Sequence, residues 1–560
     1  MMSGYKIVLK QIKLPKLDIS FCIFYMITSG FLGLIFPVYS GKVFDSILSR
    51  GMHSSGIKLF VIFGIGYLIF STLYNMKANK IGNLMYIQLL KKLTEELLVS
   101  KHSFFLLEED GSILSRFSND VGVLNEFFST TIPNFLISSI SIFCSVVMLM
   151  IIDWQLTLLM FTSVLFVMLL LLPLGKIQSS FSQKIQYQKS NYLTQLNKII
   201  KGIKTIKLFH SESVELNQSS KILDDYYYLQ IKQSYLDSIL QPIFIIILFG
   251  CATLIGLVGY YHYKVGILSK SMLLTFILYI FYMIPNILKC LQFFIEFSKS
   301  KVSTKRISDI LSSPKERISG ERVSANNDIV FKNVSVDIDC KKILDNINFK
   351  IEKGSTTAIV GTSVSGKSTL LNLLAGFDEK YKGEILIGNK ELQTIRLDEW
   401  REDIGVVLQD SFLIGDSIKD IIEYSGNKLS DSQIKSYLDE LIVNIDINIR
   451  KSINSNGTLS GGQKQKLDIL RNFVKQPKIL ILDEATANLD SYSELKVLNM
   501  LGKMKECTKI IVAHRLSSVK NADNIIFLEN GKITGKGTHQ ELLSFHEGYR
   551  VMYQNQLLGG

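Results

Sequence analysis

Residues 361–369 read GTSVSGKST, and this stretch decides the fold of the second half of the chain. It follows an apolar run at 357–360 and opens an apolar helical pattern at 367–374. Glycines in such a loop let backbone N–H groups and the N-terminus of the next helix face phosphate oxygens. We therefore predict a phosphate-binding loop between a strand and a helix. Its residues are Gly361, Thr362, Ser363, Val364, Ser365, Gly366, Lys367, Ser368 and Thr369.

Two side chains of this loop carry specific chemistry. The Lys367 ammonium can reach β- and γ-phosphates, and the Ser368 hydroxyl can bind Mg²⁺. Taken alone, the loop indicates a nucleoside triphosphatase and no narrower class of protein.

A second motif lies about 115 residues further on, where the apolar run 480–482 ends in Asp483 and Glu484. A buried strand with two carboxylates at its end suits Asp483 as a Mg²⁺ ligand through water and Glu484 as the base that activates the attacking water. An exposed acidic strand end is the alternative interpretation. The phosphate-binding loop upstream favours the catalytic one.

The third motif, LSGGQ at 459–463, gives the sequence a specific resemblance. With the two motifs above, the second half resembles the ATPases of ABC transporters. The whole chain resembles a half-transporter of the exporter type, similar to bacterial peptide and multidrug exporters. This resemblance implies an α/β P-loop ATPase domain behind a membrane α-helical domain. It also implies ATP and Mg²⁺ as cofactors.

The resemblance further implies roles for residues outside the phosphate-binding loop. Gln409 is expected to sense Mg²⁺ and to meet the membrane domain, and Asp490 to lie in the loop that joins two ATP sites. His514 is expected on the γ-phosphate, where it assists Glu484 in catalysis. The metal ligands are then Ser368, Gln409 and Asp483. The signature residues expected to close over ATP bound to a second subunit are Ser460, Gly461, Gly462 and Gln463.

Three positions depart from the pattern of such exporters. Ile338 stands where an aromatic side chain usually stacks on adenine, and Val364 replaces a third glycine of the phosphate-binding loop. The acidic residue usual just before the signature is missing from 452–458. Base stacking is worth about 1–3 kcal/mol in other proteins, so we expect weaker or less selective nucleotide binding.

The composition indicates two unlike halves. The 560 residues have a net charge of +12 and 20% charged residues, yet the mean hydropathy is +0.24. A helix needs about 20 mostly apolar residues to cross the hydrocarbon of a membrane. Six such spans are predicted before residue 300, at 19–39, 59–73, 132–152, 156–174, 243–261 and 272–294. The predicted domains are the membrane domain at 1–312, a polar linker at 313–327 and the ATPase domain at 328–560.

Basic residues predict the sidedness of these spans. Four Lys precede the first span, six Lys or Arg lie in 77–130 and nine in 176–242, against five in the opposite loops. The positive-inside bias therefore places both termini, the two long loops and the ATPase domain in the cytoplasm of a multi-pass protein of the cell membrane. Both long loops have helical periodicity, so we expect them to extend the spans as cytoplasmic helical hairpins. This distribution of charge disfavours a nucleic-acid partner.

These observations predict an ATP-hydrolysing exporter that moves an amphipathic substrate outward by alternating access. A second copy of the chain is the expected partner, since the signature must face another subunit's ATP; a heterodimer is the alternative. Membrane lipid surrounds the spans. A peptide of the bacteriocin or lantibiotic kind is the preferred substrate, and a drug or a lipid is the alternative. We expect no leader-cleaving peptidase ahead of the first span, because that span begins near residue 19. An ATP-gated channel or a sensor subunit is the alternative of another class.

Overall fold

The computed structural model describes residues 2–558 except 14, 49–53, 109, 339–340, 363–364, 410, 442, 444–448, 450–458 and 514–518. Two compact units are present. The first comprises Met1–Leu93 and Leu114–Leu311, and the second comprises Thr94–Ile113 and Ser312–Gly560. The domain limits predicted from the sequence stay predictions. The segment 94–113, however, groups with the second unit, although it lies within the first cytoplasmic loop of the predicted membrane domain.

The chain is helical up to residue 311. Two short π-helical turns, Arg116–Asp120 and Phe127–Thr131, interrupt the α-helices. The α-helices are α1 (Met2–Lys10), α2 (Lys16–Leu48), α3 (Ser54–Leu98), α4 (His102–Leu107), α5 (Asp110–Ser115), α6 (Val121–Glu126), α7 (Ile132–Ile152), α8 (Trp154–Leu208), α9 (Glu212–Lys264) and α10 (Lys270–Leu311).

Each of the six predicted spans falls within one of these long helices. Among the described residues, five helices are long and apolar enough to cross a membrane; they comprise parts of α2, α3, α7, α9 and α10. In α8 the described apolar stretch is the shorter Trp154–Phe166. The membrane-spanning helical class is therefore confirmed, whereas the count of six spans stays a prediction. Helices α8 and α9 have 55 and 53 residues. Both are far longer than the roughly 20 residues that a membrane requires, so each continues beyond the apolar layer.

One buried carboxylate ties together the C-terminal ends of α7 and α9 and the N-terminus of α8. Asp153 caps α8, because its Oδ1 accepts hydrogen bonds from the backbone N–H groups of Gln155 and Leu156, each at 3.0 Å. Its Oδ2 lies 2.5 Å from Nδ1 of His262 near the end of α9. Both side chains are buried. The turn between α7 and α8 is therefore also a cross-link to α9.

Within α10, the polar residues Lys289 and Glu296 have separate surroundings. Glu296 Oε1 accepts a hydrogen bond from Lys299 Nζ at 2.8 Å, one turn along the same helix. The Lys289 side chain is exposed. Glu296 therefore has a local basic partner.

The second unit alternates strands and helices after residue 328. Its elements are β1 (Ile329–Ile338), β2 (Lys341–Ile351), β3 (Thr356–Gly361), α11 (Lys367–Leu374), β4 (Lys382–Ile387), β5 (Lys390–Glu391), α12 (Leu397–Glu402), β6 (Ile404–Val407), α13 (Ile418–Ile422), α14 (Asp431–Glu440), α15 (Gly461–Lys475), β7 (Ile479–Asp483), α16 (Ser491–Gly502), β8 (Thr508–Val512), β9 (Asn524–Glu529), β10 (Lys532–Gly537), α17 (His539–Phe545) and α18 (Glu547–Leu558).

These strands form two sheets. A six-stranded sheet has the order β10-β9-β3-β8-β7-β6, and all its neighbours are parallel except β10 and β9. A four-stranded antiparallel sheet has the order β2-β1-β4-β5. The central parallel strands are continuous apolar runs, as expected for strands that are covered on both faces.

Three apolar clusters hold the sheets and helices together. The first lies between the two sheets and includes the buried leucines of α11 and the stacked rings of Phe331 and Phe349, 4.3 Å apart. The second joins α13–α16 to β6 and β7, and the third packs α17 and α18 on the outer face of the parallel sheet. The parallel sheet is thus fixed on both faces, and its strand ends are held rigidly in register.

Candidate nucleotide site

Three sequence motifs meet at one edge of the parallel sheet. The phosphate-binding loop follows β3, Asp483 ends β7, and Gln409 lies two residues after β6. These strands and β8 are adjacent and parallel, in the order β3-β8-β7-β6. Their carboxyl ends therefore lie side by side, which is where ligands bind in open α/β sheets. Motifs up to about 120 residues apart in the sequence are thus brought to a single edge.

The two glycines of the phosphate-binding loop are required by close contacts. A Cβ on Gly361 would lie 2.0 Å from the carbonyl oxygen of Leu528 in the neighbouring β9. Gly366 has φ of +100°, and a Cβ there would lie 2.6 Å from Cδ2 of Leu344 in β2. Any larger residue at 366 would be strained and would clash. The loop is therefore pressed against both sheets where it enters α11.

Lys367, the first residue of α11, points back into this loop. Its Nζ donates hydrogen bonds to the carbonyl oxygens of Gly361 at 3.0 Å and Thr362 at 2.8 Å. Burial lowers the pKa of the Lys367 ammonium, while Glu484 and Asp483 act in the opposite direction. Nearby, Oγ of Ser365 is buried and, among the described residues, has no hydrogen-bond partner. A buried hydroxyl without a partner costs free energy, so the loop is suited to an additional oxygen ligand.

The carboxylate and the amide predicted for catalysis are in contact. Nε2 of Gln409 donates a hydrogen bond to Oε2 of Glu484 at 2.9 Å. The backbone of Glu484 has φ of +50°, which is uncommon for a residue other than glycine. Its N–H donates to the carbonyl oxygen of Val512 at the end of β8. Strained backbone of this kind is concentrated at functional sites, because surrounding structure must hold it in place.

The signature forms the N-terminus of α15. Ser460 caps this helix in a capping box with Gln463: the Gln463 N–H donates to Ser460 Oγ at 3.2 Å, and the Ser460 N–H donates to Gln463 Oε1 at 2.8 Å. Ser460 and Gly461 are exposed, and a Cβ on Gly461 would meet no atom within 4 Å. Gly462 lies against the backbone carbonyl of Asn488. The signature therefore presents an open helix N-terminus, which attracts anions.

Asp490 caps the N-terminus of α16, six residues after Glu484. Its carboxylate accepts a hydrogen bond from the Ser493 N–H at 3.0 Å, and hydrogen bonds from Ser493 lower the pKa of Asp490. His514 lies outside the described residues, as do Ser363, Val364 and the segment 452–458. The predictions made for those positions stay predictions. Ala513, directly before His514, is buried at the end of β8.

The structure places Ile338 at the end of β1 with 47% of its surface exposed. Ile338 pairs with Lys341 of β2, and Val336 pairs with Leu344, the residue that contacts Gly366 of the phosphate-binding loop. The end of this hairpin therefore lies beside that loop. The nearest aromatic residues of the hairpin, Phe331 and Phe349, are buried in the core and cannot replace a stacking side chain.

The sequence interpretation missed one set of contacts in the second unit. The segment Thr94–Ile113, which precedes the linker by about 200 residues, groups with this unit. Lys101 donates a hydrogen bond to Glu379 at 2.5 Å, and the ring of His102 lies 5.1 Å from that of Phe377. The sequence predicts helical periodicity in this long loop, but nothing in the sequence indicates this contact.

The backbone of this segment also pairs with the start of the predicted linker. The N–H of Lys101 donates to the Pro314 carbonyl at 2.8 Å, and the N–H of Glu316 donates to the Val99 carbonyl at 2.9 Å. The hydroxyls of Ser100 and Ser313 are 2.6 Å apart. The linker therefore begins as part of a short two-stranded bridge.

Together, this fold and this site define a P-loop ATPase with a signature helix, joined to long apolar helices. Comparison with known proteins supports this description for both halves of the chain. Residues 19–286 match the model of the ABC transporter transmembrane region, and residues 344–487 match the ABC transporter model. An ABC transporter ATP-binding protein of Streptococcus pneumoniae serotype 4 is 30% identical over 560 residues, 95% of this chain and 94% of that protein. The chain belongs to the ABC transporter family.

Other relatives also match this chain over most of their own length. A multidrug resistance ABC transporter ATP-binding and permease protein of Lactococcus lactis subsp. cremoris is 29% identical, covering 95% of this chain and 93% of that protein. An ATP-dependent lipid A-core flippase of Francisella novicida is 27% identical, covering 88% and 87%. In fold, the chain is similar to a bacterial Atm1-family ABC exporter solved with ATP bound, with a TM-score of 0.81, 21% identity and coverage of 97% and 98%.

The expectations of a fused exporter architecture and an ATP-hydrolysing transporter are therefore confirmed. The protein is a multi-pass membrane protein that binds nucleotide and works as an ABC exporter.

Proposed function

We propose that two copies of this chain form an exporter that moves an amphipathic small molecule or lipid out of the cytoplasm. The observation that carries the proposal is the gathering of the phosphate-binding loop, Glu484 and Gln409 at one edge of the parallel sheet. Hydrolysis of ATP there supplies the free energy, and alternating access of the helical unit moves the substrate. The ATPase unit and both termini lie in the cytoplasm, as the distribution of basic residues predicts.

The residues of this edge have complementary tasks in ATP hydrolysis. Backbone N–H groups of 361–369 and the N-terminus of α11 bind the phosphates, and Lys367 exchanges its two carbonyl partners for phosphate oxygens. Glu484 takes a proton from the attacking water, and Gln409 holds the Glu484 carboxylate in place. His514 contacts the γ-phosphate and stabilises the charge that develops there.

The oxygen donors of the site fit Mg²⁺. Ser368, Gln409 and Asp483 offer a hydroxyl, an amide and a carboxylate oxygen, the hard ligands that this ion prefers. When bound, Mg²⁺ neutralises charge on the β- and γ-phosphates. The described residues contain no cluster of three or more His, Cys, Asp or Glu side chains that could hold a metal alone. This agrees with an ion that is held jointly by the protein and the nucleotide.

The signature favours a dimer. Ser460 and Gly461 present an exposed helix N-terminus with open space around it. A helix N-terminus with free N–H groups is suited to bind a phosphate. We infer that Ser460, Gly461, Gly462 and Gln463 close over ATP held by the phosphate-binding loop of the second subunit, and that Asp490 links the two sites. Each closed dimer then holds two composite sites.

The names of the relatives reported above refer to multidrug resistance and to lipid A-core flipping. We therefore propose a drug-like amphipath or a lipid as substrate ahead of the peptide that the sequence alone favoured. Inverted membrane vesicles with the wild-type protein should accumulate a labelled amphipathic dye or lipid only with ATP and Mg²⁺. Uptake of a cationic peptide instead would select the peptide substrate. ATP hydrolysis without uptake of any of the three would favour a channel or a sensor subunit.

The Glu484→Gln variant tests the catalytic assignment. Glutamine keeps the size and hydrogen-bonding capacity of the side chain but cannot act as a base. We expect ATP binding by the purified full-length variant to stay within about threefold of wild type, and turnover to fall by roughly 10²-fold or more. Glu494→Gln is the matched control, because Glu494 lies outside the sheet edge on α16 and bonds to Thr486. Undiminished hydrolysis in Glu484→Gln would reject the assignment of the base.

The oligomeric state is tested with the purified full-length protein. The chain purified alone should hydrolyse ATP, and cross-links between a cysteine at Ser460 of one copy and one at Thr362 of another should form only when nucleotide is present. Activity that appears only after a different ABC half-transporter is added would instead establish a heterodimer. A monomer that stays monomeric with ATP would contradict the dimer.

A further inference from the structure

The signature helix carries a buried carboxylate that none of the motifs above includes. Asp468 lies two turns into α15 and is 2% exposed. Its Oδ2 accepts a hydrogen bond from Oγ of Ser411 at 2.7 Å, and its Oδ1 accepts one from Arg471 at 2.5 Å and one from Asn472 at 3.3 Å. Burial raises the pKa of Asp468, while Arg471 and Ser411 oppose that rise. A buried carboxylate is costly, so these partners must be held in place for it to persist.

Ser411 connects this carboxylate to the candidate site. It lies two residues after Gln409, in the loop that leaves β6, and its hydroxyl is also 3.2 Å from the carbonyl oxygen of Leu408. Gln409 in turn donates to the carboxylate of Glu484. Ser411 therefore joins the loop that carries Gln409 to Asp468 by a direct hydrogen bond.

Two further bonds from α15 reach the same edge of the sheet. Nδ2 of Asn472 donates to the carbonyl oxygen of Val406 in β6 at 3.2 Å. Nε2 of Gln465 donates to the backbone carbonyl of Glu484 at 3.2 Å. Helix α15 thus holds β6, the loop after β6 and the main chain of Glu484, while its own N-terminus is the signature. Helices are stiff, so a displacement at Ser460 is transmitted along α15 to Asp468.

We propose that Asp468 is a positioning residue that couples the signature helix to Gln409 through Ser411. When the signature closes over nucleotide, α15 moves, and the hydrogen bond from Ser411 to Asp468 carries the loop with it. Gln409 already donates to Glu484 in this structure, and the movement of the loop then sets the position of Gln409 relative to the bound nucleotide. This proposal rests on the roles of Gln409, Glu484 and the signature given under the proposed function.

A purely structural carboxylate would behave differently. Removing such a carboxylate would lower the thermal stability of the protein, but the change in kcat would be the same whether or not Ser411 is present. A coupling carboxylate instead makes the two residues act as one unit, so that removing either has the same consequence as removing both. The double-mutant cycle of Asp468 and Ser411 separates these cases.

The test uses the full-length protein purified in detergent, with kcat, the KM for ATP and the melting temperature measured for each variant. We expect Ser411→Ala and Asp468→Ala each to lower kcat about tenfold, with KM within about threefold of wild type, and the double variant to be no worse than Asp468→Ala. Asp468→Asn keeps an acceptor for the Ser411 hydroxyl and should restore part of kcat. Asn427→Ala is the control, because Asn427 bonds to Val474 near the far end of α15 and not to the Gln409 loop.

The measured kcat values distinguish a failure of this coupling from a failure of the role assigned to Gln409. Wild-type kcat in Gln409→Ala would overturn both the role of Gln409 and the coupling. A low kcat in Gln409→Ala together with wild-type kcat in Ser411→Ala would overturn the coupling alone. Losses of kcat that multiply in the double variant would also overturn it. Ser411→Ala is a small change on a half-buried loop, so it decides the matter even if Asp468→Ala does not fold.

Discussion

Replacing Ile338 by tyrosine should tighten ATP binding by an amount that its surroundings allow us to bound. Ile338 ends β1 beside the phosphate-binding loop and is 47% exposed. Aromatic and β-branched residues are both favoured in strands, so Ile338→Tyr should leave the β1–β2 hairpin intact. The exposed side chain is free to contact a ligand in either variant.

The size of the gain follows from two contributions. A tyrosine ring stacked on a base is worth about 1–3 kcal/mol. Fully burying an isoleucine is worth about 1.5–3 kcal/mol, and since roughly half of Ile338 remains to be covered, isoleucine already supplies about 1 kcal/mol when nucleotide binds. The net gain is then about 1 kcal/mol, which corresponds to roughly fivefold tighter binding. The gain should be no larger than about 30-fold.

Equilibrium binding of labelled ATP to the full-length protein measures this difference. Both the wild type and Ile338→Tyr should carry Glu484→Gln, so that hydrolysis does not deplete the ligand. Ile338→Leu is the matched control, because leucine has the same apolar volume without a ring; it should bind within about twofold of wild type. If the Ile338→Tyr and Ile338→Leu variants bind ATP with equal affinity, the adenine does not lie beside residue 338 and the reasoning is refuted.

Three further predictions concern the phosphate-binding loop, the Asp153 cap of α8 and the signature helix. Gly366→Ala should lower ATP binding and the melting temperature, since left-handed backbone costs an alanine roughly 1–2 kcal/mol and its Cβ would clash with β2; Gly461→Ala, which meets open space, should fold normally, and equal melting temperatures would contradict this contrast. Asp153→Ala should lower the melting temperature in detergent, because a lost helix cap costs about 0.5–2 kcal/mol; an unchanged transition would contradict the cap. Burial raises the pKa of Asp468, so the native state keeps the Asp468 carboxyl protonated at a pH where the unfolded chain has already lost this proton. The contribution of Asp468 to the free energy of unfolding therefore falls as the pH rises between the unfolded and the native pKa. The melting temperature of Asp468→Asn minus that of wild type should therefore increase between about pH 4 and 7, and a decrease would contradict the sign.

Much of the second unit could be predicted because its chemistry requires particular residues at particular spacings. The glycines at 361 and 366 mark a loop pressed against two sheets, and the apolar run before Asp483 marks a buried parallel strand. The contact between Gln409 and Glu484 follows from β6 and β7 being neighbours, which the motifs imply only through the family resemblance. Local sequence patterns report local geometry well, since close contacts and backbone conformation constrain the residue type directly.

The contacts that sequence reasoning missed are those between distant segments with ordinary residues. Nothing in the pattern around Asp468 distinguishes a buried carboxylate from a solvated one on an amphipathic helix. Its burial depends on Ser411 and Arg471 being placed opposite it by the fold. The bridge between Val99–Lys101 and Pro314–Glu316 is made by backbone groups, which any sequence could supply. Periodicity predicts which face of a helix is covered, but it does not name the covering segment.

The interleaving of the chain at this bridge has a practical consequence for biochemistry on fragments. A soluble ATPase produced from residue 313 onward would lack Thr94–Ile113. It would uncover Glu379 and one side of the Phe377 ring, whose other neighbour, the Arg401 guanidinium, lies 4.9 Å away. Such a fragment would leave the Pro314 carbonyl and the Glu316 N–H without their backbone partners, and exposed backbone groups of this kind promote self-association. Turnover rates measured on a severed ATPase would therefore describe a surface that the intact protein does not have.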